Sequence, residues 1–404
     1  MTYDEIISQK NIETAYLSVV SQFEKKSKNS TYRGYDGLTI KNYDLHLSEL
    51  INQIHKELID FDEISPAIKM SILKSKKPGR RPIFIHTIKE RVKAQAIYQI
   101  VAPIFDKHFS DYLFSHRSSH PYYEAAKSVA KRYKKFFKDD FVLIGDISDY
   151  SGNIDKNILK EKIEKIGLDK KTNKLINLFV DSCYSENGIK KHLEKGIVHG
   201  QPLSALFDNI YINDIDNYVG KKVSLYRRVG DDFIILDKNI NKINEQKKYI
   251  LEKLTEYKIP NEKQKISVAP ASHAFNFLGY KFENGKISIS LQSENKIKNR
   301  IKTRLKYRPI NIKSKISILK KIMFYKDPME LDFSETIKHY SQASDTEQFR
   351  RISEFFFKRL TIYFFGSYSM RNQKLTKIIT EEEHIPSLFK LFIDKHRGIT
   401  RKYR

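Results

Sequence analysis

The sequence predicts an α+β chain, and three observations carry that reading. "FVLIGDI" (141–147) is apolar on both faces, as a strand inside a sheet must be. "YRRVGDDFIIL" (226–236) sets two apolar runs around a Gly-Asp-Asp turn, the pattern of a strand hairpin. From about residue 291 onward the pattern is helical and strongly basic. Between Leu291 and Arg404 stand 26 Lys and Arg against 12 Asp and Glu, so +14 of the formal +25 lies in the last 114 residues.

The elements follow in order. Residues 1–60 read as helices broken by "TYRGYDGLT". Residues 66–90 carry "KMSILKSKKPGRRPIFIHTI", two strand-like runs joined by a basic turn. "ERVKAQAIYQIVAPIFDKHF" has the spacing of an amphipathic helix. After the "FVLIGDI" strand, a helical stretch over about 156–195 leads to "GIVHGQPLSALFDNIYINDIDNYV", a turn followed by a helix. The acidic hairpin comes next, then a helix at 240–258 and short strands around "FNFLGYKF". The later aromatic run "SEFFFKRLTIYFFGSY" reads as the core of a helical region rather than a base-stacking platform.

Bulk properties narrow the function. A chain of 404 residues is long enough for two or three cores, and no repeat or Gly/Ser-rich linker divides it. A net charge of +25 is the footprint of a polyanionic partner, against the alternative of a plain lysine bias. The opening "MTYDEIISQK" lacks the apolar core of a signal peptide, and no run approaches the roughly 18 apolar residues of a membrane span. Cys183 is the one cysteine, which excludes internal disulfides and reads as a small core residue. His116 and His120 lie four apart, but no second ligand pair completes a zinc pattern. A soluble cytoplasmic protein with no membrane partner is expected.

Three carboxylates carry the chemistry. Asp146 ends the buried strand, and Asp231 and Asp232 stand side by side at the hairpin tip. Adjacent like charges repel, so a fold gains from them only where a cation cancels the repulsion. Two Mg²⁺ ions roughly 3.5–4 Å apart call for such oxygen ligands, one activating a 3′-hydroxyl and the other steadying a triphosphate. Mn²⁺ would substitute. Taken alone the pattern is modest, because "GDD" also occurs in exposed turns.

Motif order makes it stronger. "GYDGLT" (34–39), "RPIFIHTIKERVKAQAI" (81–97), "HRSSHPYYEAA" (116–126), "GDISDYSGNIDKNIL" (145–159), "GQPLSALFDNIYINDID" (200–216), "NEK" (261–263) and "FLGY" (277–280) occur in sequence. Together they resemble a bacterial reverse transcriptase of the group II intron-like lineage, over about Tyr32 to Ile310. The resemblance implies a right-hand polymerase fold. Fingers with an N-terminal extension would occupy 1–140, and a palm with antiparallel sheet and a helical insertion near 156–195 would occupy 141–285. A basic helical thumb would fill 286–404. It also implies an RNA-directed DNA polymerase acting on nucleoside triphosphates, with an RNA template or noncoding RNA and a DNA product.

Residue roles follow from the same resemblance. Asp146 and Asp231 would bridge the ions, Asp232 would be an outer ligand, and Ile147 falls among both metal and nucleotide positions. Arg81, with Lys77, would clamp the triphosphate; the alternative for "KSKKPGRR" is a solvated turn tracking backbone phosphates. Arg117 would support the same fingers as a further triphosphate contact, or form a structural ion pair. Lys263 resembles a general acid for pyrophosphate, or is a surface lysine. Gly200 would let backbone approach the nucleotide, while Asn209 and Ser204 fix the palm helix.

Departures from the family are informative. Glu90 replaces an Asp, Val229 an aromatic residue, and His199 a Gln that would face the nucleotide. Five residues after Asp146, where the family carries an aromatic steric gate against the ribose 2′-hydroxyl, stands Ser151. Either sugar discrimination is weak or Tyr150 supplies the gate. "DYSGNID" with "VGDD" also resembles viral RNA-dependent RNA polymerases, a register that would make Asp149 the ligand and Asp155 the ribose sensor. The neighbouring motifs favour the reverse transcriptase register.

No second acidic constellation for an RNase H or integrase and no nuclease tail is expected. The chain then resembles stand-alone abortive-infection and defence-associated reverse transcriptases. These are implied to act against phage, with a noncoding RNA, a second protein or a homo-oligomer. Untemplated or protein-primed nucleotidyl transfer and a non-catalytic RNA-binding scaffold are the alternatives.

Overall fold

The run beginning "IKERVKAQAI" forms the helix around which the N-terminal half is organised. In a computed structural model of the protein, described for residues 2–24, 35–73, 80–261, 264–324, 336 and 339–396, it is Ile88–His108. Thr87 caps it, its hydroxyl accepting the Glu90 N–H. The expected one-sided burial applies only to its later turns. Its first turns are buried all round, with Ile88, Glu90, Val92, Lys93, Ala94 and Ile97 inside. Helices Thr2–Ile7, Gln9–Glu24, Leu47–Asp60 and Lys170–Val180 pack against it, which leaves no solvent-facing side there. Glu90 and Lys93 are tolerated inside because they pair with each other at 3.2 Å and Lys93 also pairs with Glu57.

The two strand-like runs are Ala67–Leu73 (β1) and Arg80–Ile85 (β2), antiparallel with Ile72 opposite Arg81. The basic turn between them, including Lys77, lies outside the described residues. The stretch expected to be helical over about 156–195 is two helices, Lys156–Glu164 and Lys170–Val180, followed by a small hairpin. Its strands Tyr184–Glu186 (β3) and Ile189–Lys191 (β4) turn through Asn187 and Gly188, at φ 54° and 81°. Asn-Gly is the residue pair that a type I′ turn favours, so the signal was in the sequence. β3 runs parallel to β1, giving a four-stranded sheet in the order β2-β1-β3-β4.

A second four-stranded sheet holds the apolar strand Phe141–Asp146 (β5), the hairpin Leu225–Val229 (β6) and Asp232–Asp237 (β7), and Lys265–Pro270 (β8). Its order is β6-β7-β5-β8, so β5 is central, as its two apolar faces require. Helices Leu203–Tyr211 (α9) and Asn213–Lys222 (α10) precede the hairpin and Ile240–Glu256 (α11) follows it; with the helices already given and Ile40–Leu45 and Tyr122–Phe136, eleven helices lie before residue 257 among the described residues.

The chain divides into two compact units. One comprises 1–122, 143–235 and 240–267. The other comprises 123–142, 236–239 and 268–404. The second is built on the antiparallel strands Phe275–Phe277, Tyr280–Glu283 and Lys286–Ile289, whose Phe275 and Phe282 stack at 4.8 Å beneath Tyr133. Helices Leu291–Arg304, Ile312–Phe324, Thr346–Phe365, Met370–Glu382 and Leu388–His396 complete it. Most of the aromatic run falls in Thr346–Phe365, where Phe356, Tyr363 and Phe364 are buried. Those rings are core, as expected. Among the described residues no helix is long and apolar enough to cross a membrane.

Candidate active site

The hairpin tip is fixed by its own sequence. Gly230, at φ +66°, opens a two-residue turn that demands a positive φ at its first position. No neighbouring atom crowds its missing side chain, so dihedral freedom alone explains the glycine. Two residues earlier, Arg228 is wholly buried and forks onto Asp216, which is also wholly buried, through contacts of 2.6–2.9 Å. The same guanidinium donates to the carbonyls of Gly230 (3.0 Å) and Asn209 (3.2 Å). Burial opposes its charge, but Asp216 outweighs that and raises the Arg228 pKa, keeping it cationic. From the other side Ser115 Oγ accepts the Gly230 N–H at 2.8 Å and donates to Asn209 Oδ1 at 3.2 Å. Asn209 thus ties helix α9 to the hairpin through Ser115.

The end of β5 meets this tip. Ile147 N–H donates to the Asp231 carbonyl at 3.0 Å, so the chain just after Asp146 is tied to the acidic turn. Gly145 lets the strands close: a Cβ there would lie 2.0 Å from the Phe233 ring. Asp231 and Asp232 are exposed and Asp146 is half-buried. Lys265 Nζ lies 3.0 Å from Asp146 Oδ2, and Gln264 Oε1 accepts the Ser148 N–H at 3.0 Å. The donor set is all hard oxygen, which suits Mg²⁺ or Mn²⁺, and an ammonium already stands against Asp146 as a cation would. Among the described residues no three or more His, Cys, Asp or Glu are gathered into a ready metal centre.

The expected nucleotide-facing residues divide. Lys77 and Lys263 lie outside the described residues, as does the Arg81 side chain; the Arg81 backbone lies in β2. Arg117 is buried, pairs with Asp106 at 2.5 Å and donates to the carbonyls of Ser110 and Leu113. Those bonds correct its reading as a triphosphate contact in favour of the structural ion pair. Tyr150 is buried with its hydroxyl on the Asp208 carbonyl at 2.5 Å, so it is core rather than an open gate. Gly200, at φ +100°, needs its glycine because a Cβ would meet the Phe84 carbonyl at 2.5 Å; the close approach there is to β2. The His199 carbonyl accepts from His86 Nε2 at 3.0 Å, and the Gly200 carbonyl from Arg91 at 2.7 Å. Burial holds His86 down at about 4, so it is neutral and its Nε2 carries the proton. Ser151 opens the 3₁₀ turn Ser151–Asn153 and donates to the Asp208 side chain. Burial, with Asp231 nearby, pushes Asp208 up to about 7.

Residues 72–282, just over half of the chain, match the family model described as reverse transcriptase (RNA-dependent DNA polymerase). The chain belongs to the reverse transcriptase family. Its reaction class is therefore RNA-directed nucleotidyl transfer, and its fold is the α+β fold of these enzymes. The reverse transcriptase is 20% identical to the Escherichia coli protein YkfC, over 66% of this chain and 80% of that one. It is 28% identical to the group II intron-encoded protein LtrA of Lactococcus lactis, over 38% of this chain and 25% of LtrA. The chain thus spans most of YkfC but a quarter of LtrA. Among solved structures, apo telomerase from Candida tropicalis aligns with TM-score 0.49 and 15% identity, over 87% of this chain and 68% of that one.

Several residues that shape this reverse transcriptase site escaped the sequence reading. Lys265 and Gln264 follow Lys263 directly, in a segment where lysine is too common to single one out. Arg228 lies inside the quoted hairpin stretch, but its partner Asp216 is 12 residues away. Asp208 sits in "SALFDNIY", where helical spacing places it with Ser204 on one face. The RNA-polymerase register fares poorly. Asp155 caps Lys156–Glu164 and pairs with Lys258 at 2.6 Å, and Asp149 is an exposed turn residue at φ 53°.

Proposed function

We propose that this chain extends a primer 3′-hydroxyl on an RNA template, with Asp146, Asp231 and Asp232 holding two divalent ions. The observation that carries the reading is the Ile147 N–H to Asp231 carbonyl bond, which supports one acidic end of the sheet. When bound, the cations would supply Lewis-acid stabilisation to the attacking and leaving oxygens. The chain's own residues prepare that end. Arg228, Ser115 and Asn209 hold the hairpin, and Asp146, now paired with Lys265, would hold a cation there. Ile147 would join the ligand set through its backbone. Arg81 and Lys77 would bind the triphosphate and Lys263 would protonate the pyrophosphate, while His199 and Gly200 lie beside the nucleotide. Fingers over 1–140, palm over 141–285 and thumb over 286–404 are the domain reading that goes with these roles.

The test supplies the purified protein and any co-purifying RNA with Mg²⁺ and each labelled dNTP or NTP, and sequences the product. Templated DNA is expected. Asp231→Ala/Asp232→Ala should make none, and unchanged product from it would refute the carboxylate assignment. The antiphage role, with a noncoding RNA and a second protein or homo-oligomer, rests on the resemblance to defence-associated enzymes. A plaque assay comparing the wild type with the same double variant tests it.

A further inference from the structure

A recess of about 360 Å³ lies where the start of helix Lys156–Glu164, the end of helix Lys170–Val180 and strand β4 meet. None of Asp146, Asp231 and Asp232 lines it. Both carboxylates on its wall are already committed to a lysine. Glu63 pairs with Lys190 at 2.8 Å, which ties the segment before β1 to β4, and Asp181 pairs with Lys160 at 2.6 Å, which ties one helix to the next. The Ala67 N–H to Cys183 carbonyl bond, at 3.1 Å, joins β1 to the same wall, so the recess is formed without a ligand. Lys156 enters it as well, and this lysine differs from its neighbours. It is half-buried, yet among the described residues its ammonium contacts no hydrogen-bond or ion-pair partner. Burial lowers its pKa in spite of Asp181 nearby, so the amine is held partly out of water.

A partly desolvated cation without a counter-charge is costly, and an anion brought by a ligand removes that cost. We propose that this recess is a second ligand site, separate from the acidic end of the sheet, which binds a small organic phosphate of nucleoside-monophosphate size with its phosphate on Lys156. Three properties of the walls fit that class. An ammonium is a compact point charge with three donors, well suited to a phosphate with several acceptor oxygens. His192, exposed at the rim, offers the same anion a second nitrogen. Ile64, Leu178 and Cys183 give an apolar wall against which a flat base can lie, while the volume falls at the small end of the roughly 300–1,000 Å³ of ligand pockets. A bare phosphate ion would leave most of that wall uncovered. The carboxylates Glu63 and Asp181 do not repel the ligand strongly, because Lys190 and Lys160 offset them.

The experiment titrates the full chain with 5′-AMP and with adenosine by isothermal calorimetry, with EDTA present so that no metal can hold a phosphate at the acidic end. AMP should bind at least about tenfold more tightly than adenosine, and inorganic phosphate should compete with it. Lys156→Gln should weaken AMP by about ten- to a hundredfold, the worth of a hydrogen bond to a charged group, and leave adenosine unchanged. Lys156→Arg keeps the charge and should retain most of the affinity. Leu178→Trp fills the recess without altering a charge; it should weaken both ligands, and it carries the test if Lys156→Gln does not fold. Asp231→Ala/Asp232→Ala should bind AMP as the wild type does. The proposal is overturned by a wild type that binds no AMP at millimolar concentration, by equal affinity for AMP and adenosine, or by AMP binding unmoved in folded Lys156→Gln. Loss of AMP binding in the double aspartate variant would overturn it too, since the ligand would then lie at the acidic end.

Discussion

Replacing Arg228 by Met tests whether the acidic hairpin is held from inside the protein. The substitution keeps the volume of the side chain roughly constant and deletes three contacts to Asp216 and two to backbone carbonyls. Asp216 would retain only the Tyr226 hydroxyl, at 2.7 Å, with no exposure to water. Removing one member of a buried ion pair costs about 3–5 kcal/mol, because the remaining charge stays desolvated. That is a large part of the roughly 5–15 kcal/mol that holds a domain together. The assay is urea unfolding followed by circular dichroism, alongside primer extension. Arg228→Met/Asp216→Leu should recover most of the lost stability, since an apolar pair of similar volume is often neutral or better. Its synthesis should stay low, because the Gly230 and Asn209 carbonyls remain without their donor. A single variant within about 1 kcal/mol of wild type, or a double variant no more stable than the single, would refute the argument.

Other consequences are equally direct. His86 titrates near 4 in the folded protein and near 6.5 when unfolded, so its contribution is complete above about pH 6.5 and is lost as pH falls toward 4. The loss is about 3 kcal/mol; His86→Gln should flatten the slope of unfolding free energy against pH over that window, and an identical slope would contradict it. Gly145→Ala drives a methyl into the Phe233 ring and should cost at least 1–3 kcal/mol, with Phe233→Leu in the same chain restoring part of it in thermal melts. Asp146→Ala should abolish primer extension. Asp149→Gly should retain it and gain up to about 1 kcal/mol by removing a left-handed non-glycine residue; loss of synthesis there would revive the RNA-polymerase register.

How much of this was legible beforehand depends on how local each cause is. The strand "FVLIGD" and the Gly-Asp-Asp turn are written in contiguous residues, because alternation, β-branching and turn chemistry act over a few positions. The order of motifs likewise sufficed for the reverse transcriptase family. The hairpin over 184–191 was missed although its Asn-Gly was plain, because the helical pattern before it was extended too far.

What tertiary structure decided are the partnerships between distant residues. Arg117 could not be divided between substrate and ion pair until Asp106 was seen beside it, 11 positions earlier. Gly200 was read as making room for a nucleotide, whereas the neighbour that requires it is the Phe84 carbonyl, more than a hundred positions away. Buried polar atoms obey the same logic. Ser151 was conspicuous in the sequence by what it lacks, but only the packing of its turn against α9 sets Asp208 beside it. Sequence by itself determined which chemistry the acidic residues point to, because that depends on residue type and order. Desolvation and pairing are properties of a three-dimensional neighbourhood, so the roles of Arg228 and Arg117 were decided by the fold.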